Sequence, residues 1–249
     1  MNLLDIIFSH RTIRKYKEKS IEPQILETIL EAGTKASTTG NMQMYSIIVT
    51  TDTELKTQLS PAHFNQPMVQ NAPVVLTFCA DFNRFNKWCL QRNAIPGYNN
   101  FLSFMTAAID ALLVAQNVCI AAEANGLGIC YIGTVIYNAD KIIEILKLPK
   151  GVVPVATVTL GYPDEMPELT DRLPLEAVVH KDVYRDYAHE DIDRFYAEKE
   201  SMPLYRGFIE ENNKETLAQV FTDVRYPKSN NDHFSKILLK VLRNQGFMD

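Results

Sequence analysis

Apolar residues recur at helical spacing after Pro23, with Ile25, Leu26, Ile29 and Leu30 on one side, which predicts a helix over residues 23–36 with proline in its first turn. Two runs of β-branched, aromatic and aliphatic residues, 45–51 and 73–80, predict strands; the second is almost wholly apolar, as a strand central in its sheet would be. Between them residues 52–59 predict a short helix that opens on an acid. Residues 101–125 predict a helix of about seven turns. Its apolar residues run nearly all the way round, so it requires burial on most faces, at the centre of the fold or between two copies of the chain. Gly126 and Gly128 end that helix, 129–132 predicts a strand, Asn138 a cap for a helix through Leu148, and 152–160 another apolar strand. Helices and strands alternate without a strict parallel repeat, so the expected fold is an α+β sandwich, helices covering a mostly antiparallel sheet. From about His189 the sequence turns polar and helical with no Gly/Ser linker before it. The expected organisation is a core over 1–187 and a helical excursion over 188–249, packed on that core or on a partner subunit.

Composition narrows the class. A chain of 249 residues, 46% hydrophobic and 22% charged, is that of an ordinary globular protein. It can bury roughly 70 to 75% of its unfolded surface, which removes the need for disulfides or a structural metal. Cys79, Cys89, Cys119 and Cys130 form no C-x-x-C pair and lie in or beside apolar stretches, as buried thiols in a reducing cytoplasm would. The first nine residues lack a basic region and a cleavage site, so no secretion signal is expected. The long apolar segment is interrupted by Ser103, Thr106, Asp110, Gln116, Asn117 and Glu123, which suits a buried helix better than a lone membrane span. A net charge of -5 gives no general attraction to nucleic acid or to anionic membrane, so any anion site must be a local basic cluster.

One such cluster exists. His10, Arg11 and Arg14 place three potential cations within a few residues, and their ring and fork donors suit a phosphate. The plainer reading, a solvated basic turn after the first helix, is the stronger on the residues alone. Residues 36–43 offer several polar donors around Gly40, enough to line a polyol or simply to make a turn. Gly126, Gly128 and Gly133 imitate a dinucleotide fingerprint but follow a helix and precede a strand, the reverse of the required order. Gly133 fits a place where backbone must approach a flat ligand closely. No metal-ligand cluster is present, and His63, His180, His189 and His233 stand alone, as packed or surface histidines usually do.

Taken in order, His10-Arg11-Thr12-Ile13-Arg14, Phe78 to Arg84, Ala115-Gln116-Asn117, Gly126-Leu127-Gly128, Tyr131-Ile132-Gly133, Leu160-Gly161-Tyr162-Pro163, Arg172-Leu173-Pro174 and Val179-His180 resemble the nitroreductase family. The likeness is to its subgroup of oxygen-insensitive NADPH nitroreductases and flavin reductases, over roughly residues 4–187. The resemblance implies a nitroreductase-like sandwich, a domain-entwined homodimer, and FMN held at the dimer interface. It implies that His10, Arg11, Thr12 and Arg14 hold the phosphate and one flavin edge, and that Thr38 and Gln66 bond ribityl and ring atoms. Tyr131, Ile132 and Gly133 then run under the ring, and Arg172 returns to the phosphate. The flavin N5 carries the chemistry, no side chain acts as nucleophile, and Arg14 is the candidate for stabilising reduced flavin. The implied activity is ping-pong electron transfer from NAD(P)H, NADPH favoured, to nitroaromatic, quinone or flavin acceptors. Free flavin as the main acceptor and a non-catalytic FMN-binding protein are the alternatives. Arg206, Arg225, Lys228 and Lys236 are candidates for a 2′-phosphate contact. One position departs from the subgroup: Thr170 stands where a lysine is usual, two residues before Arg172.

Overall fold

The computed structural model describes residues 2–248. Helices α1 (Leu3–Phe8) and α2 (Pro23–Thr34) precede strand β1 (Tyr45–Thr50), and α3 (Thr53–Leu59) and α4 (Pro67–Asn71) lead to β2 (Val74–Asp81). Helices α5 (Asn83–Gln91) and α6 (Phe101–Ala124) lead to β3 (Gly128–Ile132), and α7 (Ala139–Ile145) to β4 (Val152–Gly161). The chain ends in α8 (His189–Ser201), α9 (Pro203–Glu211), α10 (Leu217–Gln219) and α11 (Lys228–Gln245). Strand order is β1-β2-β4-β3 with each neighbouring pair antiparallel, so the α+β sandwich and its antiparallel sheet are as expected.

Alternation along the strands sorts the core into two faces. Val74, Leu76 and Phe78 of β2, Ala156, Val158 and Leu160 of β4, and Ile129 of β3 pack with Ile29 of α2 and Val114 and Val118 of α6. On the other face Cys130 and Ile132 meet Leu59, Val69 and Ile142 from α3, α4 and α7. Every residue of β2 is buried, which accounts for its almost wholly apolar sequence.

Among the described residues α6 is the one helix long and apolar enough to cross a membrane. Here Ala111, Val114, Ala115, Val118 and Ala122 face the core, while Leu102, Met105, Ile109, Leu112 and Leu113 form an exposed apolar stripe along its other side. The expectation of burial on most faces is therefore met on one side only within a single chain.

Two local readings are corrected. Asn138 stands at the N-cap of the helix that follows, as expected, but its side chain makes no capping bond there; its Nδ2 donates instead to the Ala62 carbonyl at 2.9 Å. That helix stops at Ile145. The chain forms two compact units: one runs through Glu168 and resumes at Phe234, and the other is Leu169–His233. The physical reason lies at the C-terminus, where Val241, Leu242 and Phe247 pack with Phe82 and Phe104 of the first unit.

Candidate functional site

The basic segment is laid along β3. Thr12 bridges Ile129 in parallel register, and the Ile13 N–H donates to the Ile129 carbonyl at 2.9 Å. A Cβ on Gly128 would stand 2.6 Å from Ile13 Cγ1, so this glycine exists to let the segment close on the strand. Backbone contacts with the segment after β4 fix it further: the Asp164 N–H donates to the Lys15 carbonyl at 3.0 Å, and Tyr16 bridges Pro163. Glu165 Oε1 accepts from the N–H groups of Arg14 and Lys15 at 2.5 and 3.0 Å.

The side chains of the segment are partly committed. His10 Nδ1 meets Glu123 Oε1, from the last turn of α6, at 2.6 Å. Arg11 donates to two backbone carbonyls, Nε to Pro167 and Nη1 to Ser9, each at 2.8 Å. Among the described residues neither guanidinium, of Arg11 or of Arg14, has an acidic side-chain partner. In a chain of net charge -5 this is a local positive corner with unused donors.

At its other end β3 runs into Ile132, Gly133 and Thr134. Ile132 is buried beneath, while the Tyr131 hydroxyl turns to Cys119 of α6 and burial pushes its ionisation well up. A Cβ on Gly133 would meet nothing within 4 Å, so the backbone here borders open space. Beside it, Gln66 Nε2 donates to the His63 carbonyl at 3.1 Å and to Thr134 Oγ1 at 3.4 Å. His63 is fully buried, its Nδ1 lies 3.0 Å from Thr134 Oγ1, and burial pushes its pKa from the ordinary 6.5 down to about 4. From Ile129 to Gly133 the strand spans about 13 Å at 3.3 Å per residue. The first unit thus brings together His10, Arg11, Thr12, Arg14, Gln66, Tyr131, Ile132 and Gly133 along one strand, with an anion-seeking end and a flat open end. This fits a ligand with a phosphate at one end and a planar ring at the other.

Two predicted residues, Thr38 and Arg172, are carried by other parts of the chain. Thr38 belongs to a loop held by α6 through Asp110, whose Oδ1 accepts from the Thr39 N–H at 2.9 Å. Asp110 and Glu123, the helix anchors of that loop and of His10, are about 20 Å apart at 1.5 Å per residue. Arg172 lies in the second unit, exposed, with Nη1 on the carbonyls of Thr170 and Asp171 at 3.2 and 2.9 Å. In that unit the neighbouring Asp171 carboxylate is held by Lys199 Nζ at 2.8 Å and by the Tyr205 hydroxyl, so the acid next to Arg172 is neutralised within the unit. Arg225, one of the 2′-phosphate candidates, lies over the Phe208 ring at 4.1 Å.

The sequence model of the nitroreductase family matches residues 7–162, which spans the basic segment, the whole of the sheet and the turn at Gly133. The chain belongs to the nitroreductase family. Among its relatives in the family is the FMN reductase (NADPH) of Bacillus subtilis strain 168, 36% identical over 194 residues, covering 76% of this chain and 78% of that protein. The oxygen-insensitive NADPH nitroreductase of Salmonella typhimurium strain LT2 is 34% identical over 204 residues, 82% of this chain and 83% of that one. The crystal structure of a candidate oxidoreductase from Bacteroides fragilis NCTC 9343 superposes with a TM-score of 0.97 at 60% identity, over 98% of this chain and 100% of that one.

Nitroreductase-family membership does not by itself point to Asp110, Glu123, Glu165, His63 or Thr134, and sequence reasoning passed over them. A signal existed for two: Asp110 and Glu123 are the only charged residues in a largely apolar helix, and a charge taken out of water needs a hydrogen-bonding partner.

Proposed function

We propose that the protein is an FMN-dependent oxidoreductase that takes electrons from NAD(P)H, with NADPH the expected donor, and reduces nitroaromatic, quinone or flavin acceptors. The observation that carries this reading is the pairing, along β3, of a basic segment whose Arg11 and Arg14 guanidinium groups have no acidic partner among the described residues with open backbone at Gly133 at the other end. The activities of the Bacillus and Salmonella relatives support it. When bound, FMN supplies the hydride-accepting and electron-donating chemistry. The chain's own task is binding, orientation and electrostatics. Arg11 holds the phosphate end through charge-assisted hydrogen bonds, and Glu123 holds His10 in place beside it. Tyr131, Ile132 and Gly133 offer a backbone surface without a Cβ at its end, and Arg14 supplies positive charge where reduced flavin carries negative charge. Arg172 is assigned to the phosphate by resemblance alone.

The working form is a homodimer in this reading. The exposed stripe of α6 gives a second copy an apolar face to cover, and the separation of Thr38 from the β3 group supports a site completed by the partner's loop. Four free, buried cysteines accord with work in the cytoplasm. Free flavin as the main acceptor is the second reading, favoured by the activity of the Bacillus relative.

The test is the visible spectrum of the purified protein. A flavin spectrum with about one FMN per chain, bleached within seconds by anaerobic NADPH, is the expected result. A yellow protein that neither nucleotide bleaches is a binder without turnover, and a protein that stays colourless after FMN is added has another function.

A further inference from the structure

His63 and Thr134 play no part in the reading above, and their geometry is unusual for a packed histidine. The imidazole is fully buried and neutral, and its Nε2 has no hydrogen-bond partner among the described residues. A neutral ring carries one N–H. An orphaned buried N–H is much rarer than an orphaned acceptor, so the proton sits on Nδ1 and is donated to Thr134 Oγ1 at 3.0 Å.

That choice propagates. Thr134 Oγ1 also accepts from Gln66 Nε2, so both of its acceptor positions are filled by protein. Its hydroxyl proton then has no acceptor among the described residues. The amide of Gln66 is oriented with equal force: the His63 carbonyl can only accept, so Nε2 must face it, and Oε1 is left over. Between His63 and Gln66 the chain passes through Phe64 and Asn65, both left-handed at φ 55° and 54°, which folds the Gln66 side chain back onto the His63 carbonyl. Two consecutive non-glycine residues in that region are costly and cluster at binding sites. Thr134 is half-buried and follows directly on the open backbone of Gly133.

We propose that Thr134 is a further ligand-facing residue of the site, donating its hydroxyl proton, and that His63 is a positioning residue that aims it without touching the ligand. The chemistry this recognises is a heterocycle edge with a hydrogen-bond acceptor beside an N–H: Thr134 donates to the acceptor and Gln66 Oε1 accepts from the N–H. The imide edge of a flavin has that pattern, so the inference rests on the FMN reading and adds the group that reads this edge.

The test follows FMN release from the full-length holoprotein on dilution, by the rise in flavin fluorescence, in the parent, Thr134→Val, His63→Leu, the double variant and His63→Asn. Thr134→Val keeps shape and removes the donor, and should weaken FMN binding about 3- to 10-fold, the worth of one neutral hydrogen bond. His63→Leu should weaken it by a similar factor, the double variant no further than Thr134→Val alone, and His63→Asn, whose Nδ2 can replace Nδ1, should recover most of the parent's affinity. A merely structural histidine would lower the melting temperature and leave FMN release alone. Thr134→Val releasing FMN like the parent, or losses that multiply in the double variant, overturns the assignment; Thr134→Val decides by itself where His63→Leu does not fold. A parent that holds no FMN overturns the functional reading and this assignment with it.

Discussion

Replacing Asp110 by asparagine and by alanine tests a buried junction on which the loop around Thr38 depends. Asp110 is 1% exposed; one oxygen accepts from the Thr39 N–H at 2.9 Å and the Thr39 hydroxyl at 3.3 Å, the other from the Met44 N–H at 3.4 Å. Thr39 is exposed, so water can satisfy its N–H once the carboxylate is gone, but Met44 is fully buried and its N–H would be left unpaired. Asparagine keeps an oxygen for Thr39 and turns an NH2 towards the Met44 N–H, losing one long bond at a cost of about 1 to 2 kcal/mol. Alanine loses the charged acceptor altogether and strands the Met44 donor, about 3 to 5 kcal/mol in sum. For a chain of this size each kcal/mol moves the melting midpoint by about 2 to 4 °C, so asparagine should lower it by roughly 2 to 8 °C and alanine by roughly 6 to 20 °C. Denaturant titration of the same variants gives the free energies directly, provided the slope of the transition is unchanged. If alanine is no worse than asparagine, the bonds to Thr39 hold nothing and the loop is fixed by some other means.

Four further outcomes are expected. Arg14→Ala should weaken FMN binding about 10- to 150-fold, the worth of a charge-assisted bond of about 1.5 to 3 kcal/mol; unchanged flavin occupancy at limiting FMN removes Arg14 from the site. Light scattering should give twice the chain mass of 28.3 kDa, and Leu113→Glu, at a position exposed in the single chain, should return the protein to one chain without unfolding it. Thr170→Lys should tighten FMN binding by at most about 1 kcal/mol and steepen its salt dependence, since an exposed ammonium contributes little and is screened; identical affinity and slope would show that Thr170 does not face the phosphate. The unfolded chain protonates His63 near pH 6.5 and the folded chain only near pH 4, so the unfolded state binds more protons in that window. Stability present above pH 6.5 is therefore lost as pH falls towards 4, by roughly 3 kcal/mol at 1.36 kcal/mol per pKa unit, and His63→Asn should flatten that slope in acid denaturation curves.

What the chain shows in its pattern is what depends on near neighbours. The four strands, α2 and α6 were legible because burial on a sheet or helix face repeats every two or every 3.6 residues. Helix α5 was not, because Asn83, Arg84, Asn86 and Lys87 dilute its apolar face. The basic segment and Gly133 were found as residue types, but their meeting along β3 depends on Ile13 reaching Ile129 across most of the first unit. His63 read as a packed or surface histidine, and it is packed; its pairing with Thr134, like that of Asp110 with Thr39, joins residues 71 positions apart, and no local period records such a pairing. The packing of Val241 and Leu242 with Phe104 joins residues farther apart still.

Strand β3 stands at the margin of the sheet, where a bare row of N–H and C=O groups would be an invitation to pair with another molecule. The stretch that carries Thr12 and Ile13 lies against that margin and closes it. The residues expected to grip a phosphate are therefore carried by the guard of an edge. A substitution that loosened this stretch, such as a side chain at Gly128 displacing Ile13, would surface first as aggregation during expression and only then as a lost ligand.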